Sequence, residues 1–387
     1  MAGKGLKLFK VFGFTVRMDL SWLVILVLVV WSLGGGVLPN RYPGLARGTY
    51  YLMGLAGGLG LFASIVFHEL WHSLLARTYG IQMRGITLFI FGGLAEMEDE
   101  PPSARAEFVM AAAGPASSAV LGALALGLAR VGKTAGWPIP VWGIVEWIGI
   151  LNLVLAVFNL IPGFPLDGGR ILRAILWQWK RDLRYATRIA SRVGSAFGLG
   201  LMGFGILRLL RLDPIGGLWY LLIGMFLRSA AMQGYQQVLI RKALEGERVR
   251  RFMSAEAVSV PPELSVADLV ENYVYRYHFK MFPVVEGERL VGCVTTRQIR
   301  EVPRDRWAQS RVGEISVGCE PGNVIGPDED AMKALSRMQA SRASRLMVVE
   351  EGRLAGILSL KDLLGFLSLK LELEGEVGGG NPPPQEG

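Results

Sequence analysis

Residues 50–75 form an apolar run in which glutamate 69 is the only charged residue, and two histidines flank it: Phe67-His68-Glu69-Leu70-Trp71-His72-Ser73. A helix of about 20 mainly apolar residues is long enough to cross a bilayer. Ionisable side chains at that depth are costly, and where they occur they tend to mark function. On such a helix His68 and His72 stand at i and i+4, so both imidazoles leave the same face, and Glu69 follows on the neighbouring edge. The chain has only three histidines, and two of them are here.

The surrounding composition supports a membrane setting. The chain has 387 residues, is 51% hydrophobic and only 19% charged, and its mean hydropathy is +0.36. Such sparse charge is wrong for a disordered protein and unusual for a soluble one. The apolar residues concentrate in 20–232, with about six candidate spans near 20–38, 50–75, 108–129, 141–161, 193–210 and 215–232. The basic N-terminus is expected to lead into an uncleaved first span, because no small-residue cleavage site follows it. The formal net charge of +8 comes without a compact basic stripe interleaved with aromatics, so no nucleic-acid partner is expected. Lys4, Lys7, Lys10 and Arg17, together with the cluster from Arg170 to Arg192, fall on one side of this topology, which predicts that both termini are cytoplasmic. The two cysteines, Cys293 and Cys319, lie in the C-terminal half; two make no disulfide framework, and a reducing compartment suits them. Gly54 and Gly58 have the spacing of close helix packing.

The H-E-x-x-H spacing supplies two nitrogen ligands and a general base on one helical turn, the arrangement of a zinc hydrolase. A catalytic zinc normally takes a third protein ligand and leaves one position open. Asp19 at the start of the first span, Glu146 near the outer start of the fourth, and Asp167 are the candidates. Asp19 reads as a helix-start residue and Glu146 as an interfacial carboxylate on the opposite side. Asp167 follows Asn159-Leu160-Ile161-Pro162-Gly163-Phe164-Pro165-Leu166, where two prolines break the helix at the same depth as the histidines.

HELWH in an early span, with NLIPGFPLDGGR in a later one, resembles the site-2 protease family of intramembrane zinc metalloproteases over about residues 10–232. Phe91-Gly92-Gly93-Leu94-Ala95 and Ala113-Gly114-Pro115 add to the likeness. The resemblance implies a zinc metalloendopeptidase (EC 3.4.24) acting on a membrane-spanning protein substrate. It implies that His68, His72 and Asp167 bind zinc, that Glu69 is the general base, and that Asn159 places the substrate or stabilises the oxyanion. A transmembrane helix hides its carbonyls, so the substrate must unwind; residues 82–97, with β-branched and aromatic alternation, could offer it a strand edge or serve as a structural hairpin.

The second half has ordinary soluble composition. After a basic linker at 233–250, FPVVEGERLVGCVTTRQI (282–299) and LMVVEEGRLAGILSLKDL (346–363) align at a constant offset of 64 residues. Each reads as strand, turn, strand and helix start, preceded by helical stretches near 265–278 and 328–340. This duplicated α/β unit, 251–368, resembles a tandem CBS domain pair. The resemblance implies ATP or another adenine nucleotide as a regulator, and a homodimer through this module. Ser359 and Asp362 match the family's nucleotide-contacting spacing, while in the first repeat Thr295 is followed by Gln298 in place of the acid. Ser359 reads equally as a helix cap. Residues 369–387 are expected to be a disordered tail. The expected whole is therefore a polytopic α-helical membrane domain (1–232) followed by a soluble α/β module. A transporter or channel gated by the same CBS pair is the rival, but it would want polar residues along a continuous path through the bilayer.

Overall fold

The computed structural model describes residues 6–81, 83–89, 92–97, 100–211, 213–341 and 343–373. The chain divides into two compact units, Met1–Val238 and Leu239–Gly387.

The first unit is built of helices α1 (Ser21–Ser32), α2 (Leu38–Arg41), α3 (Arg47–Thr78), α4 (Ala104–Thr134), α5 (Ile139–Asn159), α6 (Asp167–Lys180), α7 (Leu183–Leu210) and the part of α8 (Pro214–Leu244) up to Val238. Among the described residues five helical stretches are long and apolar enough to span a membrane: Ser21–Arg41, Arg47–Thr78, Ala104–Thr134, Ile139–Asn159 and Leu183–Leu210. The count of six is therefore approximate. The segment expected as the sixth span, 215–232, is helical within α8.

Glycines set how closely the spans approach. A Cβ on Gly54 would lie 3.0 Å from the Val30 carbonyl oxygen, and one on Gly58 would lie 2.6 Å from Leu26 Cδ1, so this face of α3 lies directly against α1. Gly57 and Gly60 face Ile144 and Ile148 of α5 in the same way. The small-residue spacing in α3 is thus a packing device on two sides.

A four-stranded sheet in the order β1 (Leu6–Val11), β2 (Phe14–Met18), β3 (Met83–Phe89), β4 (Gly92–Met97) joins the helices. β1 and β2 form an antiparallel hairpin through Phe12 and Gly13, both with positive φ; β2 runs parallel to β3, and β3 antiparallel to β4. The hairpin occupies a segment whose basic residues had suggested only a membrane anchor. Phe14, Val16, Ile86 and Leu88 from the sheet bury against Trp22 of α1 and Val66 and Leu70 of α3. The sheet is thereby seated on the turn of α3 that carries the histidines, and among the described residues β4 is one of its edge strands.

The second unit follows the internal repeat. Its sheet runs β5 (Met281–Glu286), β6 (Arg289–Thr295), β10 (Arg353–Ser359), β9 (Arg345–Glu350), β8 (Val324–Ile325), with β7 (Val317–Gly318) paired to β6. The β5–β6 and β9–β10 hairpins are the two copies. The repeats exchange their leading segments: Ser254 bridges Ile357 of the second copy, and Val317–Gly318 pairs with Gly292 and Cys293 of the first. Gly292 and Gly356 are the matched positions where a Cβ would strike the crossing backbone of Val317 and Ser254. Two cores follow, one around Phe282, Val284, Val294 and Ile299, the other around Leu346, Val348, Leu358 and Leu363.

Residues 233–250, expected as a linker, stay helical to Leu244, and Ala243, Leu244 and Val249 are buried in the second of these cores. Their small and apolar side chains recur between the basic ones, which composition alone averages away. Residues 369–373 of the expected tail continue the helix Leu360–Leu373, while 374–387 lie outside the described residues.

Candidate metal centre

Both histidines are buried on α3, with ring centroids 4.9 Å apart and edge-on to each other. Asp167 begins α6 and reaches back to them: its Oδ2 lies 3.0 Å from His68 Nε2 and 3.2 Å from His72 Nε2, and the two Nε2 atoms are 3.2 Å apart. The loop from Leu160 to Leu166 brings the aspartate there, and its Phe164–Pro165 peptide is cis. Gly168 and Gly169 let the start of α6 fold onto this loop, since a Cβ at either would overlap the backbone of residues 160–164. On the other side Gly194 of α7 accepts the Phe164 backbone equally closely.

The opposite edges of the imidazoles are held by α4. His72 Nδ1 lies 2.7 Å from the Met110 carbonyl oxygen, which can only accept, so Nδ1 carries the proton and Nε2 presents its lone pair. His68 Nδ1 is 2.9 Å from Ser118 Oγ. Between them Gly114 leaves the floor of the site open, because a Cβ there would overlap both Nε2 atoms. The His72 lone pair, His68 Nε2 and a carboxylate oxygen therefore converge on one point, with all three ligand atoms within 4.8 Å of one another. Acceptors this close repel one another unless a cation or a shared proton lies between them. The donor set of two imidazoles and a carboxylate, each imidazole fixed from behind, fits a zinc ion.

Glu69 is half-buried and lies under β4: a Cβ at Gly93 would come within 2.6 Å of its Cγ and 3.0 Å of its Oε1. Asn159, the last residue of α5, donates from Nδ2 to the Leu155 carbonyl of its own helix at 3.0 Å. The other two candidate carboxylates are engaged elsewhere. Asp19 accepts from the Ser21 amide at 2.9 Å, just before α1. Glu146 accepts from the Tyr42 hydroxyl and from Arg41, the latter at 3.3 Å. Of the expected substrate segment 82–97, Gln82, Ile90 and Phe91 lie outside the described residues.

Ser118 and the Met110 carbonyl were not singled out by sequence. The available signal was that 110, 114 and 118 share one face of α4 at helical spacing, with small or polar residues at two of the three positions.

In the second unit the Ser359 hydroxyl and amide both bond Asp362 Oδ2, at 2.6 and 3.1 Å, and the Asp362 amide bonds Ser359 Oγ at 3.2 Å. Thr295 and Gln298 make the matching capping box in the first repeat, with the Thr295 amide 2.6 Å from Gln298 Oε1. The glutamine thus reproduces the cap without the charge.

The chain matches the peptidase family M50 model over residues 56–136 and 127–201, and the CBS domain model over 249–305 and 320–369. A zinc metalloprotease homologue from Synechocystis sp. is 35% identical over 361 residues, covering 92% of this chain and 94% of its own. Zinc metalloprotease MJ0392 of Methanocaldococcus jannaschii is 29% identical over 374 residues, covering 96% of this chain and 98% of its own. The solved site-2 protease from Methanocaldococcus jannaschii aligns with 30% identity and a TM-score of 0.43 over 60% of this chain and 95% of that one. With a relative this similar along nearly its whole length, and with the paired motifs in one site, the chain belongs to peptidase family M50, the site-2 protease family of zinc metalloendopeptidases, and carries a CBS domain pair.

Proposed function

We propose that the protein cleaves a membrane-spanning protein substrate within the bilayer, with His68, His72 and Asp167 holding zinc and Glu69 acting as general base. The observation that carries this reading is the convergence of the two Nε2 atoms and Asp167 Oδ2 beside Glu69 in a unit of spanning helices. Bound zinc would supply Lewis acidity, bringing the pKa of a coordinated water towards about 7 and polarising a carbonyl. Glu69 takes a proton from the attacking water as the new C–O bond forms. It returns that proton to the amide nitrogen as the C–N bond breaks, leaving an amine and a carboxylic acid whose remaining proton passes to the amine to give ammonium and carboxylate. Asn159 exchanges its bond to Leu155 for one to the substrate carbonyl as negative charge grows there.

The unwound substrate adds as a strand beside the edge strand β4, which passes over Glu69 at Gly93. The distribution of Lys and Arg supports a multi-pass protein of the cell membrane with both termini and the CBS pair cytoplasmic. The CBS pair binds an adenine nucleotide through Ser359, Asp362 and Thr295 and so modulates cleavage; pairing of two copies through this module accompanies it.

The test is cleavage of a single-span substrate by protein purified in detergent. Glu69→Gln should retain zinc and lose cleavage, whereas Asp167→Ala should lose both. Cleavage by Glu69→Gln at the wild-type rate would refute the assignment of the base. ATP binding lost on Ser359→Ala would support the regulatory site, and wild-type protein that ignores ATP would remove it.

A further inference from the structure

The face of α4 that meets the site extends one turn beyond it. Glu107, Met110, Gly114 and Ser118 recur at intervals of three, four and four, and the last three touch the histidines. Glu107 does not. It is fully buried, and its Oε1 accepts from Arg173 Nε at 2.6 Å and from a second nitrogen of the same guanidinium. Arg170 Nε lies 3.8 Å from that oxygen. The other oxygen, Oε2, is buried and has no hydrogen-bond partner among the described residues. Both arginines belong to α6, three and six residues after Asp167. The Arg173 guanidinium also lies 5.1 Å from the ring centroid of Phe164, in the loop that precedes the aspartate. One side chain therefore grips the chain on both sides of the third ligand.

We propose that Glu107 is a positioning residue for the metal: through Arg173 it fixes the start of α6 and so sets the Asp167 carboxylate opposite the two imidazoles. A buried ion pair is a weak source of net stability compared with apolar side chains of the same shape. Its geometry is stiff, however, because the planar guanidinium fork defines a direction that an ammonium does not. On this view a single stripe of α4 orients all three ligands: Met110 and Ser118 directly, and Glu107 by way of α6. The proposal rests on the zinc reading given above.

The experiment uses the full-length protein in detergent. The double variant Glu107→Gln/Arg173→Gln removes both charges of the close pair together, and Arg173→Lys keeps the charge but loses the fork. Zinc affinity is read by competition with a chromophoric chelator, ligand geometry by the visible spectrum of the cobalt(II) form, and folding by the melting of metal-free protein. The double variant should melt near wild type, bind zinc about 10–100-fold more weakly and change the cobalt spectrum. Arg173→Lys should show a smaller loss in the same direction. In an Asp167→Asn background the double substitution should cost much less, because the ligand it orients has been altered. Wild-type affinity in both variants overturns the proposal, as does a penalty undiminished by Asp167→Asn. An equal loss of affinity from Glu146→Gln, at the opposite end of the unit, would do the same by showing a general destabilisation. Absence of zinc from the wild type would instead overturn the metal centre itself.

Discussion

Replacing Gly114 by alanine should close the metal centre without unfolding the protein. The new methyl carbon would overlap both Nε2 atoms and come within 2.6 Å of His72 Cε1. Carbon atoms in contact sit about 3.5–4.0 Å apart, so α4 and α3 must separate by about 1 Å, or the rings must turn. Either response spoils what α4 does for the histidines. Adding that separation to the 2.7 Å bond at His72 Nδ1 and the 2.9 Å bond at His68 Nδ1 takes both beyond useful hydrogen-bond reach. Loss of one such orienting partner typically weakens metal binding about 10–100-fold. Loss of two, with the site itself narrowed, should weaken it by at least about 100-fold. The cost in stability should stay at about 1–3 kcal/mol, the usual range for overpacking. Chelator competition measures the first quantity and thermal melting in detergent the second. Wild-type zinc affinity in Gly114→Ala would refute the reasoning, since it would mean that the ligand atoms do not meet over this residue.

Other substitutions separate the parts of the site. Ser118→Ala should lower zinc affinity about 10–100-fold by freeing one edge of His68, as read in the same competition assay. Gly93→Ala should leave zinc bound but reduce turnover, because its methyl would press on Glu69 Cγ rather than on a ligand; steady-state cleavage and metal content distinguish the two. In the second unit, burial of Glu329 works against ionisation, but the Gly326 amide, Lys333 and Arg337 outweigh it and hold the carboxyl below its ordinary value. Its contribution to stability is therefore present above the unfolded-state pKa of about 4.3 and is lost as pH falls through the lower folded value. Amide protection factors over residues 326–337, taken relative to the intrinsic exchange rate at each pH, should fall on acidification below that point, and Glu329→Gln should flatten the change.

The parts of this architecture legible in the sequence are those written in residue type and short spacing. HELWH fixes two imidazoles and a carboxylate on one turn by helical geometry alone. The repeat at offset 64 exposes the duplication, because each copy retains its hairpin turn and its matched glycine. The union of Asp167 with the histidines is a tertiary fact, but the proline-broken helix in front of it pointed to the depth at which it would lie. What stayed hidden is of other kinds. The Met110 contribution is a backbone carbonyl, which no residue-type pattern records. Glu107 and Arg173 are separated by 66 residues, and neither is unusual in its own neighbourhood. The β1–β2 hairpin was available in the alternation of LKLFKVFGFTVRM around Phe12-Gly13, but its lysines matched a membrane anchor equally well. The exchange of leading segments between the repeats depends on which copy Ser254 and Val317 cross, and chain order does not decide that.

The central claim is that one zinc ion sits between α3 and α6, held by His68, His72 and Asp167. X-ray absorption at the zinc edge on purified Glu69→Gln protein tests it most directly, alongside Asp167→Ala and His72→Ala. The account predicts about one zinc per chain, with nitrogen and oxygen ligands alone at about 2.0–2.2 Å, and loss of the metal in both ligand variants. Zinc with sulfur in its coordination shell would place it at Cys293 or Cys319 in the second unit, and zinc retained unchanged in Asp167→Ala would remove the aspartate from the site; either result contradicts the account.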